Sequence, residues 1–309
     1  ATDALVHIAR FLDADSDGDL DCLAFALARG AVPAAPGNAG AAAALHNNNR
    51  DGSYQDIGAR LGLPAAAVAA VVCDDFDDDW DLDLAVFFAG DEGPLMAVND
   101  RLWKYRALDR AATGLSVRNV VSATSGDPDK DGDRDLLVVT SDGARLFVNE
   151  GRMRFKEHAG FTASFGLRGG TSGQFADMDN DGDLDLVIAD AARPGGARGP
   201  ARLINDWPRD RFLDAAAVDP GNLLGALTVD GAASCVAADL DGNGACDIVL
   251  VPSKGPARII LNMTAGNHWL ALDLLGVESR DQKARSNASG IGARVEIKTG
   301  AVYQEFAVG

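Results

Sequence analysis

A short aspartate-rich segment occurs five times in this chain and constrains its fold more than any other feature. Each copy has acidic or amide residues at its first, third and fifth positions, an aspartate at its ninth, and glycine at its sixth in four of the five copies. The copies begin at Asp13, Asp75, Asp127, Asp177 and Asp239, so the starting positions are 62, 52, 50 and 62 residues apart. Repeats of this length are typical of folds built from successive similar units.

The sequence after each copy also repeats. Four consecutive apolar residues follow the ninth position, and such short apolar runs bounded by turn signals indicate buried strands. A later strand ends in asparagine, and in four copies a further strand carries an aromatic residue. The asparagines are Asn47, Asn99, Asn149, Asn205 and Asn262, and the aromatic residues are Tyr54, Tyr105, Phe155 and Phe212. Four short strands per unit predict an all-β fold, a β-propeller of four-stranded blades with five loop-bearing blades over residues 1–265.

The aspartate pattern itself predicts a metal site. Alternate carboxylates in a tight loop point at one place, the sixth residue allows the sharp turn, and the seventh offers a backbone carbonyl. Oxygen ligands of this kind suit calcium better than magnesium. We therefore predict up to five Ca²⁺ ions, one per loop, held by Asp13, Asp15, Asp17, Asp19 and Asp21; by Asp75, Asp77, Asp79, Asp81 and Asp83; by Asp127, Asp129, Asp131, Asp133 and Asp135; by Asp177, Asp179, Asp181, Asp183 and Asp185; and by Asp239, Asp241, Asn243, Ala245 and Asp247.

An EF-hand loop begins with the same pattern and is the main alternative. That loop needs a bidentate glutamate at its twelfth position and a helix on each side. The twelfth positions here are Ala24, Val86, Val138, Ile188 and Leu250, each inside the apolar run. The sequence therefore favours a calcium loop between two strands.

Two copies depart from the common pattern. Copy two has Trp80 where the others have glycine, so its turn must either bend differently or carry strain. Copy five has Asn243 in place of an aspartate and so carries one negative charge fewer. The sequence predicts tight binding by copies one, three and four and weaker binding by copies two and five.

Net charge and the remaining residue types narrow the range of functions that the chain could have. A formal charge of −18 predicts that the chain repels nucleic acid and anionic membranes. Residues 65–73 form the longest apolar run, which is too short to cross a bilayer, so no membrane insertion is expected. The four cysteines show no zinc-type spacing and are expected to be small buried residues. The four histidines are scattered, so no catalytic residue and no cofactor other than calcium is predicted.

The repeats resemble the FG-GAP, or VCBS-type, repeats of integrin-like propellers over about residues 4–265. Residues 267–276 and 289–297 resemble the opening of an ASPIC/UnbV domain, which follows the propeller in cartilage acidic protein-like proteins. This resemblance implies a second, partial β domain over residues 266–309. Such propellers usually have about seven blades, so the resemblance also implies that the chain is a fragment. Members of the family are secreted or surface proteins, which implies a secreted, cell-surface or periplasmic location.

The function predicted from these features is that of a non-enzymatic calcium-binding scaffold for adhesion. Its partner would be a protein or glycan, held on the propeller face opposite the calcium loops. Basic residues on that face, Arg193, Arg198 and Lys254, could attract an acidic partner. The alternative is the propeller part of a polysaccharide lyase or another secreted hydrolase.

Overall fold

Five antiparallel β-sheets follow one another along the chain in the computed structural model of the protein. The structure describes residues 5–15, 19–27, 42–49, 51–64, 66–89, 92–101, 104–161, 167–192, 198–215, 231–264, 267–274, 293–299 and 302–307. Helix is almost absent from these residues: it comprises a 3-10 turn at Gly58–Leu61, α1 at Arg110–Thr113 and the helical residues 159–161 and 215. The predicted all-β class is therefore confirmed.

The sheets are the blades of a propeller ring. Blade one contains β1 (Leu5–Leu12), β2 (Asp21–Leu27), β3 (Ala42–Asn48) and β4 (Tyr54–Asp56), and blade two contains β5 (Val68–Asp74), β6 (Asp83–Phe88), β7 (Leu95–Asn99) and β8 (Tyr105–Ala107). Blade three contains β9 (Val120–Gly126), β10 (Asp135–Thr140), β11 (Gly143–Asn149) and β12 (Phe155–Glu157). Blade four contains β13 (Ser172–Ala176), β14 (Asp185–Ala192), β15 (Arg198–Asn205) and β16 (Phe212–Asp214). Blade five contains β17 (Ala232–Ala238), β18 (Asp247–Pro252) and β19 (Arg258–Ile260) among the described residues.

Each aspartate loop joins the first two strands of its blade. The second strand begins at the ninth loop residue and contains the apolar run that follows it, as the sequence predicts. Strands within a blade are antiparallel neighbours, so the turns after the third strands lie on the same side of the ring as the loops. The aromatic residues Tyr54, Tyr105, Phe155 and Phe212 each begin the fourth strand of a blade.

The hydrophobic core lies between successive blades. Four clusters of buried residues fill the spaces from blade one to blade five, each drawn from two neighbouring sheets. The second strands of the inner blades, β6 and β10, are buried along their whole length because sheets cover both faces. Phe76, from the loop of blade two, packs edge-on against Phe155 of blade three. Loop residues thus take part in the blade-to-blade core.

Strand register corrects one detail of the sequence interpretation. The first residue after each loop pairs with a third-strand residue two positions before the asparagine, as in Leu84 opposite Ala97 with Asn99 beyond it. In blade one Cys22 lies opposite His46, so the equivalent asparagine is Asn48 and not Asn47. Three consecutive asparagines at residues 47–49 made the choice ambiguous in the sequence.

Beyond blade five, β20 (Arg294–Thr299) and β21 (Val302–Ala307) form a two-stranded antiparallel hairpin. Among the described residues, neither strand of this hairpin pairs with a strand of a blade sheet. Over that same part of the chain, none of the helices has the length and apolar character needed to cross a membrane.

Candidate metal centres

In loops two to five, the first and fifth loop residues fold the loop by accepting backbone hydrogen bonds. The carboxylate of Asp177 accepts from the amides of Asp181 and Gly182 at 3.1 and 2.9 Å, and Asp181 accepts from the amide of Asp183 at 3.1 Å. Loops two, three and five repeat the bonds to the sixth and seventh residues. Asn243 does so in loop five through its side-chain oxygen, so it preserves the turn although it lacks the charge.

The ninth residue is the most deeply placed carboxylate of each loop. Asp21, Asp83, Asp135, Asp185 and Asp247 are all 0% exposed. One oxygen of each accepts from the backbone N–H of the third-strand asparagine, at 2.7 to 2.9 Å. In four loops the other oxygen accepts from the N–H of the second loop residue, at 2.9 to 3.3 Å. The ninth aspartate therefore fastens the loop to the sheet.

Carboxylates converge in all five loops. Three oxygens, one per residue, lie within 4.8 Å of one another in each group. The groups are Asp13, Asp15 and Asp21; Asp75, Asp77 and Asp83; Asp127, Asp129 and Asp131; Asp177, Asp179 and Asp181; and Asp239, Asp241 and Asp247. Each group could hold a metal ion.

Several aspartates of these groups have a buried oxygen without a hydrogen-bond donor among the described residues. These oxygens include Oδ1 of Asp77, Oδ1 of Asp127 and Oδ1 of Asp179. A buried carboxylate oxygen without a donor is costly, and a cation is the partner that such an oxygen can still accept. The oxygen-only chemistry of these groups fits a hard cation such as calcium.

The acidity of the loop carboxylates reflects the same crowding. Burial raises the pKa of Asp83 to about 8 and of Asp185 to about 7, with neighbouring aspartates adding to the shift. The pKa of Asp77 rises to about 6 for the same reasons, burial first and then Asp79 and Asp75. Without a cation the loops therefore oppose full ionisation.

Loop three lacks one hydrogen bond that the others have. Its second residue is Pro128, which has no backbone N–H to donate to the ninth aspartate. Accordingly Oδ2 of Asp135 has no donor among the described residues. Burial, followed by repulsion from Asp129, raises the pKa of Asp135 to about 9. One missing donor thus leaves a fully buried carboxylate oxygen unsatisfied.

Loop two has a strained turn, one of the two outcomes that its sequence predicts. Trp80 has φ of 76°, and the glycines at the same position, Gly132, Gly182 and Gly244, have φ of 97°, 90° and 85°. The side chain of Trp80 is 65% exposed. Arg294 of the terminal hairpin lies over its ring, 5.1 Å from the centroid, and pairs with Asp78 in the same loop.

The third-strand asparagines also join neighbouring blades. The side-chain amide of Asn149 donates to the carbonyl of Arg134 in its own loop and, at 2.9 Å, to that of Phe76 in the loop of blade two. Asn99, Asn205 and Asn262 make the same bond, at 2.7 to 3.0 Å, to the second residue of the preceding loop. We call this arrangement the asparagine clasp. Although the repeated asparagine was visible in the sequence, its action on the preceding blade was not predicted.

The structure brings part of each predicted ligand set together. The groups contain the first and third residues of every loop, together with the ninth in loops one, two and five and the fifth in loops three and four. Asp17 lies outside the described residues. Asp81 is paired with Arg101 at 2.9 Å, and the side chain of Asp183 is mostly buried.

The predicted basic surface opposite the loops is only partly described. Arg193 lies outside the described residues, and Lys254 lies in the exposed turn between β18 and β19. Arg198 donates to both carboxylate oxygens of Asp190, at 3.2 and 2.8 Å, so its charge is largely neutralised. An acidic partner would therefore compete with Asp190 for the guanidinium of Arg198.

A cleft of about 650 Å³ lies between blades three and four. Its walls include Asp129 of loop three, Lys156 and His158 of blade three, and Trp207 and Arg211 of blade four. Trp207 donates through its indole N–H to the carbonyl of Asp129 at 2.8 Å, and His158 pairs with Asp210 at 2.9 Å. The cleft thus adjoins aspartate loop three through Asp129.

Together the blades and acidic loops define a β-propeller whose repeats could bind metal ions. Residues 127–188, which run from loop three into β14, match the family model of the FG-GAP-like repeat. The structure thus contains at least one FG-GAP-like repeat within a propeller of five blades, which is the part of the expected resemblance that is confirmed. No curated protein sequence matches the chain.

Three solved structures are among those similar to this chain. An Agrocybe aegerita lectin, described as recognising non-reducing terminal N-acetylglucosamine, is 14% identical; the match covers 84% of this chain and 67% of the lectin, with a TM-score of 0.46. The Photorhabdus luminescens Tc holotoxin pore is 18% identical, with coverage of 86% and 12% and a TM-score of 0.39. The V. cholerae biofilm matrix protein Bap1 is 12% identical, with coverage of 85% and 40% and a TM-score of 0.36.

Proposed function

We propose that the protein is a calcium-stabilised propeller that acts outside the cell as a non-enzymatic binding scaffold. The observation that carries the metal assignment is the buried, donor-free carboxylate oxygen that accompanies the convergent aspartates of loops two, three and four. Calcium satisfies such oxygens when it binds, and it removes the repulsion between them. The protein's own residues already fix the loop backbone, so the ion meets a largely preformed site.

An extracellular, cell-surface or periplasmic location follows from the same chemistry. Calcium-binding modules outside the cell typically work at about 10⁻⁴–10⁻³ M, concentrations that the cytosol does not reach. Loops that bury three to four carboxylates would be left repelling one another in a calcium-poor compartment. We therefore propose a secreted or surface role, as the FG-GAP resemblance implies.

The metal assignment is tested by neutralising one ligand. Asp77→Asn removes the negative charge of a carboxylate whose Oδ1 has no donor among the described residues, so the substitution should break few hydrogen bonds. In EDTA we expect the variant to melt at or above the wild-type temperature because repulsion with Asp75 and Asp79 falls. In calcium we expect it to melt several degrees lower because a ligand is lost.

Asp142→Asn, in the exposed turn between β10 and β11, is the matched control and should change neither temperature. Isothermal titration with CaCl₂ and with MgCl₂ measures the ion preference directly. Identical melting of the wild-type protein in calcium and in EDTA would contradict the proposal.

The proposed partner is a protein or glycan, and the proposed surface remains the face opposite the loops. Because Arg198 is paired with Asp190, Lys254 is the described residue of the basic set on which this proposal now depends. A glycan and protein binding screen in calcium, run beside a polysaccharide lyase assay, separates a scaffold from an enzyme part. Lys254→Glu should weaken binding of the partner that the screen identifies, whereas turnover of a polysaccharide would favour the enzyme alternative.

The ASPIC/UnbV-like assignment of residues 266–309 also remains a proposal, as do the domain boundary at residue 265 and the fragment status. The hairpin of β20 and β21 is compatible with a separate small β domain. Limited proteolysis should cut near residue 265 and leave the propeller intact if the boundary is correct.

A further inference from the structure

Loop four differs from the other loops in a residue that lies outside the aspartate pattern. Arg202 occupies the third-strand position just before Leu203, which lies opposite the first residue after the loop. The residues at the same register position in the other blades are all apolar: Leu45, Met96, Leu146 and Ile259. Arg202 is nonetheless buried, with 6% of its surface exposed. A charged residue has therefore replaced a core residue in one blade.

The guanidinium of Arg202 reaches two of the predicted metal ligands. Its Nη2 donates to Oδ2 of Asp185, the ninth loop residue, at 3.2 Å, and lies 3.8 Å from Oδ2 of Asp179, the third. The N–H of Met178 reaches the same Asp185 oxygen at 3.3 Å, longer than the equivalent 2.9 to 3.1 Å bonds in loops one, two and five. Arg202 thus shares an oxygen that in loops one, two and five accepts from the backbone of the second loop residue.

A guanidinium keeps its charge at any ordinary pH, so this positive charge is permanent. Placed beside two carboxylates in a buried setting, it offsets their mutual repulsion in the absence of metal. The same charge, 3.8 Å from an oxygen of Asp179, repels a divalent ion bound by the loop-four carboxylates. Removing one partner of a buried ion pair is strongly destabilising, because the other charge is left uncompensated.

We propose that Arg202 is a built-in cation of loop four, which makes this loop the least dependent on bound metal and lowers its affinity for calcium. The inference rests on the proposed calcium function and deepens it. It also reverses the ranking expected from the sequence, in which loop four is among the tightest. Loop three, whose Asp135 has an oxygen with no donor among the described residues, lies at the opposite extreme.

The test compares Arg202→Leu, which installs the residue found at this position in blades one and three, with Met96→Leu as a matched core control. In EDTA we expect Arg202→Leu to melt on the order of 10 °C lower than wild type. Adding Asp179→Asn to Arg202→Leu should recover part of that loss, since one of the uncompensated charges is removed. Met96→Leu should show only a small change.

Calcium titration supplies the second readout. Arg202→Leu should bind calcium at one site at least tenfold more tightly than wild type, and calcium should raise its melting temperature by more than it raises that of wild type. Unchanged calcium affinity, or unchanged melting in EDTA, would overturn the proposal. If Arg202→Leu does not fold, Arg202→Lys and Arg202→Gln replace it: the lysine variant should melt higher in EDTA, and equal melting would contradict the role of charge.

The proposed calcium function and the role of Arg202 can be refuted separately. A wild-type protein that binds no calcium would refute the proposed calcium function. The EDTA comparison contains no metal and would still decide whether Arg202 is the internal cation of loop four.

Discussion

Single residues set how each loop satisfies its buried ninth carboxylate. In loops one, two and five, one oxygen of the ninth aspartate accepts a hydrogen bond from the backbone N–H of the second loop residue. In loop four the same oxygen also accepts from Arg202, and in loop three Pro128 has no N–H to donate. The five loops look nearly alike in sequence, yet their dependence on a cation should differ because of the residue at the second position or in a neighbouring strand.

Pro128→Ala should stabilise the metal-free protein by supplying an N–H to Asp135. The expected gain is about 1 kcal/mol, the usual net value of such a hydrogen bond. The gain should be larger at pH 9 than at pH 5, because the bond favours the ionised form of a carboxylate whose pKa is about 9. Urea unfolding in EDTA at both pH values measures it.

Pro64→Ala, in an exposed segment, is the control for the greater freedom that any proline replacement gives the unfolded chain. The interpretation of loop three would be wrong if both variants changed the unfolding free energy by the same amount at both pH values.

Trp80→Gly should relieve the strain of a bulky residue at positive φ, worth about 1–2 kcal/mol. The change also removes the contact with Arg294, worth about 0.5–1 kcal/mol at an exposed site. We therefore expect a small net stabilisation in the wild-type background. In an Arg294→Ala background the same substitution should stabilise more, and denaturant unfolding of the four proteins in this cycle tests both values. A loss of stability in the Arg294→Ala background would show that the turn is not strained.

At the scale of the elements, the asparagine clasp couples each of blades two to five to the loop before it. The ninth aspartate holds the backbone of the asparagine, and the side chain of the asparagine then reaches the carbonyl of the preceding loop. An ion bound in one loop would therefore also steady the bond to the previous blade. This arrangement gives a physical path for coupling between neighbouring sites.

Asn149→Ala should destabilise the protein by about 1–3 kcal/mol, since buried carbonyls of Phe76 and Arg134 lose their donor. Hydrogen exchange should accelerate in loop two as well as in blade three. Asn47→Ala is the control, because Asn47 bonds to Asn49 nearby and not to another blade. Exchange that accelerates in blade three alone would argue against the clasp.

At the scale of the whole molecule, the buried carboxylates should reverse the usual effect of pH on an acidic protein. The folded-state pKa values of Asp83, Asp135 and Asp185 are about 8, 9 and 7, all above the ordinary value of 3.8. The folded state therefore holds more protons than the unfolded state, and metal-free stability is lost as pH rises from about 4 through these values.

We accordingly expect the melting temperature in EDTA to fall between pH 5 and pH 9. In saturating calcium the fall should be smaller or absent, because the ion binds the ionised carboxylates and opposes the loss. Differential scanning calorimetry across this range, with and without calcium, measures both trends. A melting temperature in EDTA that rises with pH would contradict the burial of ionisable loop residues.

The sequence alone determined the fold class, the five loops and the strands that follow them. Those features arise from local patterns: alternating aspartates, short apolar runs and an aromatic residue at the start of each fourth strand. Only the tertiary structure decided which asparagine of residues 47–49 bonds to the ninth aspartate of its loop, because register is set by strand pairing. It also decided that Arg198 is neutralised by Asp190 and that Arg202 lies against loop four. Such pairings depend on which strands meet in space, and the spacing of residues along the chain does not fix them.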